Sequence, residues 1–335
     1  MKALIAKLVA GEALDEASME QAMDAVLRGE ASAIQVAALL VALRMKGESV
    51  DEIAAAARSM RRHAVLVPLQ VRGPIVDTCG TGGDGAGSFN ISTVAAIAVS
   101  ACGVTVAKHG NRAASSQAGS ADVLEALGVD LGASPERIAR CIEQVGIGFM
   151  FARVHHPAMK HVAQVRADLG VRTLFNFLGP LANPAGATHQ LLGVGDGARL
   201  EVMAEVLCRL GTQGAWVVHG HGGLDEVSLG GRTRVAEVRG GSVRCFELGP
   251  ADFGVASAEL AALRGGDAAE NAAVARAILA GERGPKRDAV VVNAAAALCA
   301  AGIAQTPLDG ARMVAAALDD GRASAKLAAW VAFSG

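Results

Sequence analysis

Residues 76–128 decide the fold and read VDTCGTGGDGAGSFNISTVAAIAVSACGVTVAKHGNRAASSQAGSADVLEALG. An apolar run over residues 74–79 predicts a short buried strand, and the glycine-rich residues 80–85 predict a turn. An alanine-rich helix is predicted to begin near Ser92. A glycine-rich turn that leads into a helix presents free backbone N–H groups and the positive end of the helix dipole. The segment is therefore predicted to be a strand–turn–helix unit that binds phosphate.

The charged residues of this segment favour a strongly anionic ligand. Between Asp84 and Asp122 the sequence contains no carboxylate, whereas Lys108, His109 and Arg112 stand beside glycines, amides and hydroxyls. Such a set of donors suits a heavily phosphorylated molecule.

Two other interpretations of the glycines are open at this point. Gly80, Gly82 and Gly85 have the G-x-G-x-x-G spacing of dinucleotide-binding turns, but that interpretation needs an acidic residue about 20 positions further on for the ribose. The next predicted strand ends instead in Lys108, which favours phosphate over NAD. The glycines alone also fit an ordinary strand-to-helix turn, and no Gly-Lys-Ser or Gly-Lys-Thr sequence follows them.

Outward from this segment, short β-branched runs alternate with alanine-rich helices. This alternation is typical of an α/β domain with a mostly parallel central sheet flanked by helices. Strands are predicted at residues 75–79, 103–108, 146–151, 190–195, 214–219, 233–238 and 242–248. Helices are predicted at residues 92–101, 119–127, 135–144, 157–169, 198–210, 267–281, 287–301 and 309–320.

The first 70 residues have a different pattern. Three Ser-x-x-Gln/Glu sequences precede apolar residues at helical spacing and predict helix capping boxes, at Ser18/Gln21, Ser32/Gln35 and Ser49/Glu52. We expect a small all-helical domain at residues 1–70 and a large α/β domain at residues 71–335.

Composition argues against several classes of protein. Across 335 residues the formal net charge is −2, so no overall field attracts nucleic acid or an anionic membrane. The chain lacks a membrane-span pattern and its first residues lack the build of a signal peptide, which predicts a cytoplasmic protein. Six scattered cysteines without a C-x-x-C pair are predicted to be reduced core thiols, at Cys79, Cys102, Cys141, Cys208, Cys245 and Cys299.

Candidate metal ligands lie far along the chain from the glycines. Asp225 and Glu226 form an acidic pair in a glycine-flanked loop after an apolar strand, and Mg²⁺ is usually held by one or two carboxylates together with substrate phosphates. Composition alone favours a solvated surface pair instead. A zinc site is a competing interpretation, but the histidines lack the H-x-x-x-H spacing of a helical zinc site. The two zinc sets considered are His155, His156 and His161, and His219 and His221 with Asp225.

Four stretches carry a family resemblance: GTGGDGAGSFNIST, AKHGNRAASSQAGSADVLEALG, HHPAMKHVAQVRADLGVRTLFNFLGPLANPA and GLDEVSL. In their order and spacing they resemble the anthranilate phosphoribosyltransferase family, over nearly the whole chain. The resemblance implies a small helical domain joined by helices from about residues 155–185, a large α/β domain, and an active site in the cleft between them.

The same resemblance implies an activity. The family transfers the phosphoribosyl group from phosphoribosyl pyrophosphate to anthranilate with Mg²⁺, expected as two ions per active site. This reaction is the second step of tryptophan biosynthesis from chorismate. The resemblance further implies a homodimer that binds neither nucleic acid nor a membrane.

The resemblance also implies the site residues. Those expected to bind the phosphoribosyl donor are Gly80, Gly83, Asp84, Ser88, Asn90, Ile91, Ser92, Thr93, Lys108, His109, Gly110, Asn111, Arg112, Ala113, Ala114, Ser115, Ser116 and Ser120. Those expected to bind anthranilate are Gly80, Asn111 and Arg166, and those expected to hold metal are Ser92, Asp225 and Glu226.

Two of these roles stay open on the residues alone. Arg166 could pair with a carboxylate, although an isolated helical arginine is more often a surface residue. His109 could accept the proton that the anthranilate amine releases, or it could shape the phosphate loop. No base is required before the attack, because an aniline nitrogen is neutral at pH 7.

The chain departs from the family pattern at a few positions. Ser88 stands where threonine is usual, Arg153 stands where proline is usual, and residues 219–223 differ from the commoner sequences. These changes leave the expected phosphate and magnesium residues intact. Two alternatives remain: a pyrimidine-nucleoside phosphorylase, which the constellation fits less well, and an inactive nucleic-acid-binding homologue, which should show a basic stripe and degraded ligand loops.

Overall fold

The N-terminal region consists of four helices. In the computed structural model, which describes residues 1–113 and 117–334, they are α1 (Lys2–Val9), α2 (Glu16–Leu27), α3 (Ala33–Lys46) and α4 (Val50–Arg62). Ser32 and Ser49 cap α3 and α4 and receive reciprocal bonds from Gln35 and Glu52, so two predicted capping boxes are confirmed.

The capping box predicted at Ser18/Gln21 is wrong. Asp15 is the N-cap of α2, and its carboxylate accepts the Ser18 N–H at 2.8 Å. Aspartate caps helices as well as serine does, so the helix begins three residues earlier than predicted and Ser18 lies within its first turn.

A seven-stranded sheet forms the centre of the rest of the chain. Its strands are β1 (Ile75–Gly80), β2 (Thr105–Gly110), β3 (Ile147–Phe151), β4 (His189–Gly193), β5 (Gly214–His219), β6 (Thr233–Arg239) and β7 (Ser242–Leu248). They lie in the order β3-β2-β1-β4-β5-β6-β7. The first five pair in parallel, and β6 and β7 add antiparallel at one edge. The predicted mostly parallel sheet is confirmed, with every strand end within two residues of its predicted position.

Helices cover both faces of this sheet. They are α5 (Ile91–Ala101), α6 (Ser120–Leu127), α7 (Pro135–Val145), α8 (Ala152–His155), α9 (Lys160–Leu169), α10 (Phe175–Leu181), α11 (Leu200–Arg209), α12 (Ala268–Leu279), α13 (Pro285–Ala300), α14 (Pro307–Asp319) and α15 (Arg322–Ser334). The sequence did not predict α8, α10 or α15. Helix α10 contains Pro180, which sequence rules treat as a helix breaker.

Apolar strand residues alternate between two cores, as side chains on a strand must. Leu191 and Val218 belong to the core that α5 and α13 cover. Leu192 and Val217 belong to the other core, which contains residues of α2, α3 and α4. Helices α9 and α10 join this second core and contact α3 and α4. The segment between β3 and β4 therefore returns to the N-terminal helices.

The cysteine prediction is confirmed in part. All six cysteines are free thiols, and Cys141 and Cys299 are buried. Cys245 is exposed, against the prediction, because it lies on β7 at the edge of the sheet. In the described part of the chain, no helix is both long and apolar enough to cross a membrane.

Candidate active site

The carboxyl ends of the parallel strands bring distant loops together. Strand β1 ends at Gly80, and the glycine-rich turn (residues 80–85) and the rest of its loop lead to α5. Gly82, Gly83 and Gly85 have φ values of 63°, 76° and 69°, in the left-handed region that suits glycine. The Thr81 N–H donates to the carbonyl of Gly193 at 2.9 Å, which ties the turn to the end of β4. Ligands of open α/β sheets bind at this end of the strands.

The acidic pair after β5 meets the backbone of this turn and of α5. Asp225 Oδ2 accepts the N–H of Gly82 at 2.8 Å. Glu226 Oε1 accepts the N–H of Ser92, in the first turn of α5, at 3.1 Å. The two carboxylates therefore occupy backbone donors of the kind that bind phosphate oxygens.

Two glycines make this close approach possible. A Cβ atom at Gly80 would overlap the carboxylate of Asp225, and one at Gly193 would overlap its backbone. Neither position tolerates a side chain unless the acidic pair moves. Glycines at the ends of β1 and β4 thus leave the space that Asp225 occupies.

The acidic residues at this site disfavour one another's ionised forms. Burial and the neighbouring Asp84 raise the pKa of Asp225 to about 6. Burial and then Asp225 raise the pKa of Glu226. Asp84 Oδ2 is itself buried without a hydrogen-bond partner. Within residues 1–113 and 117–334, no three His, Cys, Asp or Glu side chains converge closely enough to hold a metal by themselves. A metal here needs ligands from elsewhere.

A buried lysine lies beside β1. Lys108 is 2% exposed, and its Nζ donates to the carbonyl of Thr78 at 2.5 Å. Burial lowers the pKa of Lys108, while the carboxylate of Asp77 opposes that shift. Asp77 is held by the His109 N–H at 3.1 Å and by Asn183 Nδ2 at 2.8 Å. The amine of Lys108 is thus held at Thr78, two residues before the glycine-rich turn begins.

His109 is buried and neutral. Its Nδ1 lies 3.1 Å from the carbonyl of Gly179, and its ring meets the edge of His156 at a centroid distance of 5.0 Å. Burial and then His156 lower the pKa of His109 to about 3. Because a carbonyl oxygen only accepts, Nδ1 carries the proton, and Nε2 keeps a lone pair without a partner.

Arg112 is engaged by two carboxylates of α6. Its Nη1 lies 2.7 Å from Asp122 and 2.8 Å from Glu125, and these bonds raise its pKa. Asn111 lies just before it, and the Asn111 carbonyl accepts the hydroxyl of Ser120 at 3.3 Å. Arg112 can therefore reach a phosphate only by sharing its guanidinium with α6.

Arg166 has an unpaired guanidinium. It projects from α9, and its Cζ lies 5.6 Å from the centre of the Phe175 ring. Its side chain makes no hydrogen bond or ion pair with another described residue, and burial lowers its pKa. The cation remains available for an anion brought from outside.

The other predicted donor-binding residues lie around the same turn and helix start. The backbone of Ser88 forms an isolated antiparallel β-bridge with that of Arg264. Asn90 Oδ1 accepts a hydrogen bond from Asn271 Nδ2 at 3.0 Å. The hydroxyl of Thr93 is buried without a partner.

The remaining predicted residues include Ile91, Gly110 and Ala113. Ile91 is buried, and Gly110 ends β2. The Ala113 N–H donates to the carboxylate of Asp122. Ala114, Ser115 and Ser116 lie outside the described residues.

Comparison with known proteins places this arrangement in a family. Residues 2–64 match the helical bundle domain of a glycosyl transferase family, and residues 72–324 match its a/b domain. The anthranilate phosphoribosyltransferase of Moorella thermoacetica is 53% identical over 334 residues, which cover 99% of this chain and 98% of the relative. The chain belongs to the anthranilate phosphoribosyltransferase family.

Solved structures of anthranilate phosphoribosyltransferases share the fold. The enzyme from Thermus thermophilus superposes with a TM-score of 0.94 at 51% identity, covering 98% of both chains. The enzyme from Saccharomyces cerevisiae, in complex with PRPP and Mg, has a TM-score of 0.91 at 28% identity, covering 99% of this chain and 97% of that one.

The sequence did not predict some residues of this site. Asp77 could have been predicted, because burying a carboxylate inside an apolar strand costs free energy unless the carboxylate is paired. Asn183, which bonds Asp77, gave no separate signal. Arg172 bonds the carbonyl oxygens of Thr81 and Gly82. Every residue has a backbone carbonyl, so the residue types at positions 81 and 82 do not indicate a bond to Arg172. The sequence alone therefore could not predict this contact.

Proposed function

We propose that this protein transfers the phosphoribosyl group of phosphoribosyl pyrophosphate to anthranilate, giving N-(5-phosphoribosyl)anthranilate and pyrophosphate, in the second step of tryptophan biosynthesis. One observation carries the proposal: the carboxylates of Asp225 and Glu226 bond the amides of Gly82 and Ser92, near the buried Lys108. The residues that we assign to the metal and to the phosphates thus lie at one end of the sheet, which supports the proposal. The yeast relative has been solved with PRPP and Mg, and separately with 4-fluoroanthranilate.

The acidic pair suits Mg²⁺. Its carboxylates are buried and crowded, with raised pKa values, and a divalent cation would favour their ionised forms. Mg²⁺ usually takes one or two carboxylates together with substrate phosphates, which suits a site that cannot enclose a metal alone. We assign Asp225 and Glu226 to one ion and the Ser92 hydroxyl to a second. When bound, Mg²⁺ neutralises charge on the pyrophosphate.

The residues of the chain then stabilise the leaving group. The bond from C1 of the ribose to pyrophosphate breaks as the anthranilate nitrogen bonds to C1, and negative charge grows on pyrophosphate. We assign the N–H groups of Gly82 and Ser92 and the amine of Lys108 as donors for that charge. In the unliganded protein the two amides bond Asp225 and Glu226, which would free them on turning to a metal. The attacking nitrogen is neutral at pH 7 and loses its proton after the new bond forms.

Arg166 is the residue we assign to the acceptor. Its unpaired guanidinium offers two parallel N–H groups to the anthranilate carboxylate. We place Asn111 and Gly80 beside the reacting centre, as the family resemblance implies. The remaining predicted donor-binding residues keep the roles given above as predictions.

The activity is tested directly by fluorescence. Purified protein with Mg²⁺ and phosphoribosyl pyrophosphate is expected to consume anthranilate fluorescence, and EDTA should stop the reaction until Mg²⁺ is restored. Inorganic phosphate with a pyrimidine nucleoside serves as the control and should release no base. Folded protein that consumes no anthranilate at any Mg²⁺ concentration would overturn the proposal.

We also propose a homodimer formed through α3. Ile34, Val41 and Met45 lie on one face of that helix and are 81%, 36% and 82% exposed, an apolar stripe typical of an interface. Light scattering should give twice the monomer mass for the wild type and a monomer for Met45→Glu. A monomeric wild type would contradict this assignment.

Two further proposals concern the organisation and location of the protein. We propose that residues 1–70, joined by about residues 155–185, act as one domain and the rest as the other, with the active site in the cleft between them. We also propose that it works in the cytoplasm, where its free thiols would stay reduced. Limited proteolysis and cell fractionation test these two points.

A further inference from the structure

Arg172 lies on the short connection between α9 and α10, which pack against the N-terminal helices. Gly170 ends α9 with a φ of 61°. The Thr173 N–H, one residue after Arg172, donates to Asn176 Oδ1 at 2.8 Å at the start of α10. The backbone on both sides of Arg172 is therefore fixed.

The guanidinium of Arg172 contacts the backbone of the glycine-rich turn. Nη1 donates to the carbonyl of Gly82, and Nη2 donates to the carbonyl of Thr81 at 3.0 Å. A Cβ atom at Gly83 would overlap Nη1, so the turn and the arginine fit closely. Arg172 makes no ion pair with any residue in the described ranges. Two parallel donors on adjacent carbonyl groups require the planar fork of arginine.

These bonds set the direction of the neighbouring amides. All peptide bonds in the described ranges are trans, so each carbonyl points away from the N–H of the next residue. The peptide plane between Thr81 and Gly82 is held at both ends, by Arg172 on its oxygen and by Asp225 on its N–H. In the peptide plane between Gly82 and Gly83, Arg172 bonds the Gly82 oxygen. The Gly83 N–H, on the opposite side of this trans peptide, therefore points away from Arg172.

We propose that Arg172 is a positioning residue for the phosphoribosyl donor: it fixes the peptide planes of the glycine-rich turn and thereby the directions of the N–H groups that we assign to the pyrophosphate. It acts through the backbone and is not a catalytic residue. It also joins the turn to the connection after α9, the helix that carries Arg166. The identity of the donor rests on the proposed function. The clamp, by which we mean the two bonds from Arg172 to the carbonyls of Thr81 and Gly82, does not.

Donor binding gives the first test. Arg172→Ala should raise both the Kd for Mg²⁺–phosphoribosyl pyrophosphate and the KM for that donor about tenfold, the loss expected when one misdirected backbone N–H no longer bonds the charged pyrophosphate. The KM for anthranilate should stay unchanged. Arg172→Lys keeps the charge without the fork and should remain weaker than the wild type. Arg44→Ala is the matched control, because Arg44 lines the same small cavity without a bond to the turn.

Amide hydrogen exchange in the unliganded protein gives the second test. The N–H groups of Thr81 and Gly82 are bonded to Gly193 and Asp225. They should exchange faster in Arg172→Ala and at the wild-type rate in Arg44→Ala. Unchanged exchange with unchanged donor affinity would overturn the inference, as would exchange that rises evenly over the whole chain. A wild type that binds no donor would overturn the proposed function and the donor-positioning role. Exchange alone would then decide whether the clamp exists.

Discussion

At the residue scale, Asp225 and Glu226 are the side chains that we assign to the metal of the phosphoribosyl donor. The double variant Asp225→Asn with Glu226→Gln should abolish turnover, because it removes both carboxylates assigned to Mg²⁺ while leaving similar shapes in the site. Calorimetry should show that Mg²⁺ no longer strengthens the binding of phosphoribosyl pyrophosphate.

The matched control changes two exposed carboxylates that make no ion pair with a described residue. Glu205→Gln with Glu259→Gln alters net charge by the same amount and should leave the kinetics unchanged. Wild-type activity and magnesium dependence in the Asp225/Glu226 variant would show that the metal assignment is wrong.

Arg166 gives a separate residue-level prediction for the acceptor. Arg166→Ala should raise the KM for anthranilate about tenfold or more, since a charge-assisted bidentate pair is lost. Steady-state kinetics with each substrate varied in turn would measure this. Lys160→Ala, an exposed change on the same helix, is the control. A change confined to the KM for the phosphoribosyl donor would reassign Arg166 to the other substrate.

The sequence could predict some of these residues and not others. Lys108 is predicted because it stands where a dinucleotide site would have an acid. For the acidic pair, composition alone favours a surface position, and the strand–loop context and the family resemblance reverse that. The structure brings these residues to one end of the sheet. Arg112 could not be judged in advance. Its pairing with Asp122 and Glu125 of α6 is a tertiary contact, which a local sequence pattern does not show.

At the element scale, the glycine-rich turn permits a matched comparison. Gly83 and Gly85 both have positive φ, but only a Cβ at Gly83 would overlap Arg172, whereas the space around Gly85 is open. Gly83→Ala should therefore weaken donor binding well beyond Gly85→Ala, which carries only a backbone cost of about 1 kcal/mol. Calorimetric titration with Mg²⁺–phosphoribosyl pyrophosphate would compare them. Equal losses would mean that the contact with Arg172 does not matter.

Elements with strong periodic patterns were predictable from the sequence, and irregular ones were not. The strands of the sheet follow β-branched runs, so all seven appeared at the predicted places. Helix α10 contains Gly179 and Pro180 and is stabilised by burial of Phe175 and Leu178 instead of by propensity. Tertiary packing of that kind is not visible in a local pattern.

At the scale of the whole molecule, buried histidines link stability to pH. Burial lowers the pKa of His156 to about 4 in the folded protein, against about 6.5 in an unfolded chain. Below pH 6.5 the unfolded chain takes up the proton first, so the free energy of unfolding falls as the pH drops from about 6.5 to about 4. This group should contribute about 2 kcal/mol of that loss between pH 7 and pH 5.

Urea unfolding at several pH values would measure this effect. His156→Gln should flatten the pH dependence by that amount, whereas His161→Gln, at an exposed position, should leave it unchanged. Identical slopes for the wild type and His156→Gln would contradict the prediction.

The return of α9 and α10 to the N-terminal helices is also a property of the whole molecule. Val162 and Phe175 pack in the same core as α2, α3 and α4. Periodicity predicted the helix at residues 157–169 but not its neighbours, because a pattern within one helix does not say which partner buries it. Only the family resemblance implied that helices from about residues 155–185 join the N-terminal region.

The bond between Asp225 and the Gly82 amide also has a consequence for selectivity in a cell full of phosphate esters. A sugar phosphate or nucleotide that arrives without a metal finds the amide taken by a carboxylate, and the two anions repel each other. A diphosphate that carries Mg²⁺ would bring a positive charge to this carboxylate and would compete for it with the Gly82 N–H group. We therefore expect metal-free phosphate esters to bind this turn more weakly than a diphosphate that carries its own cation.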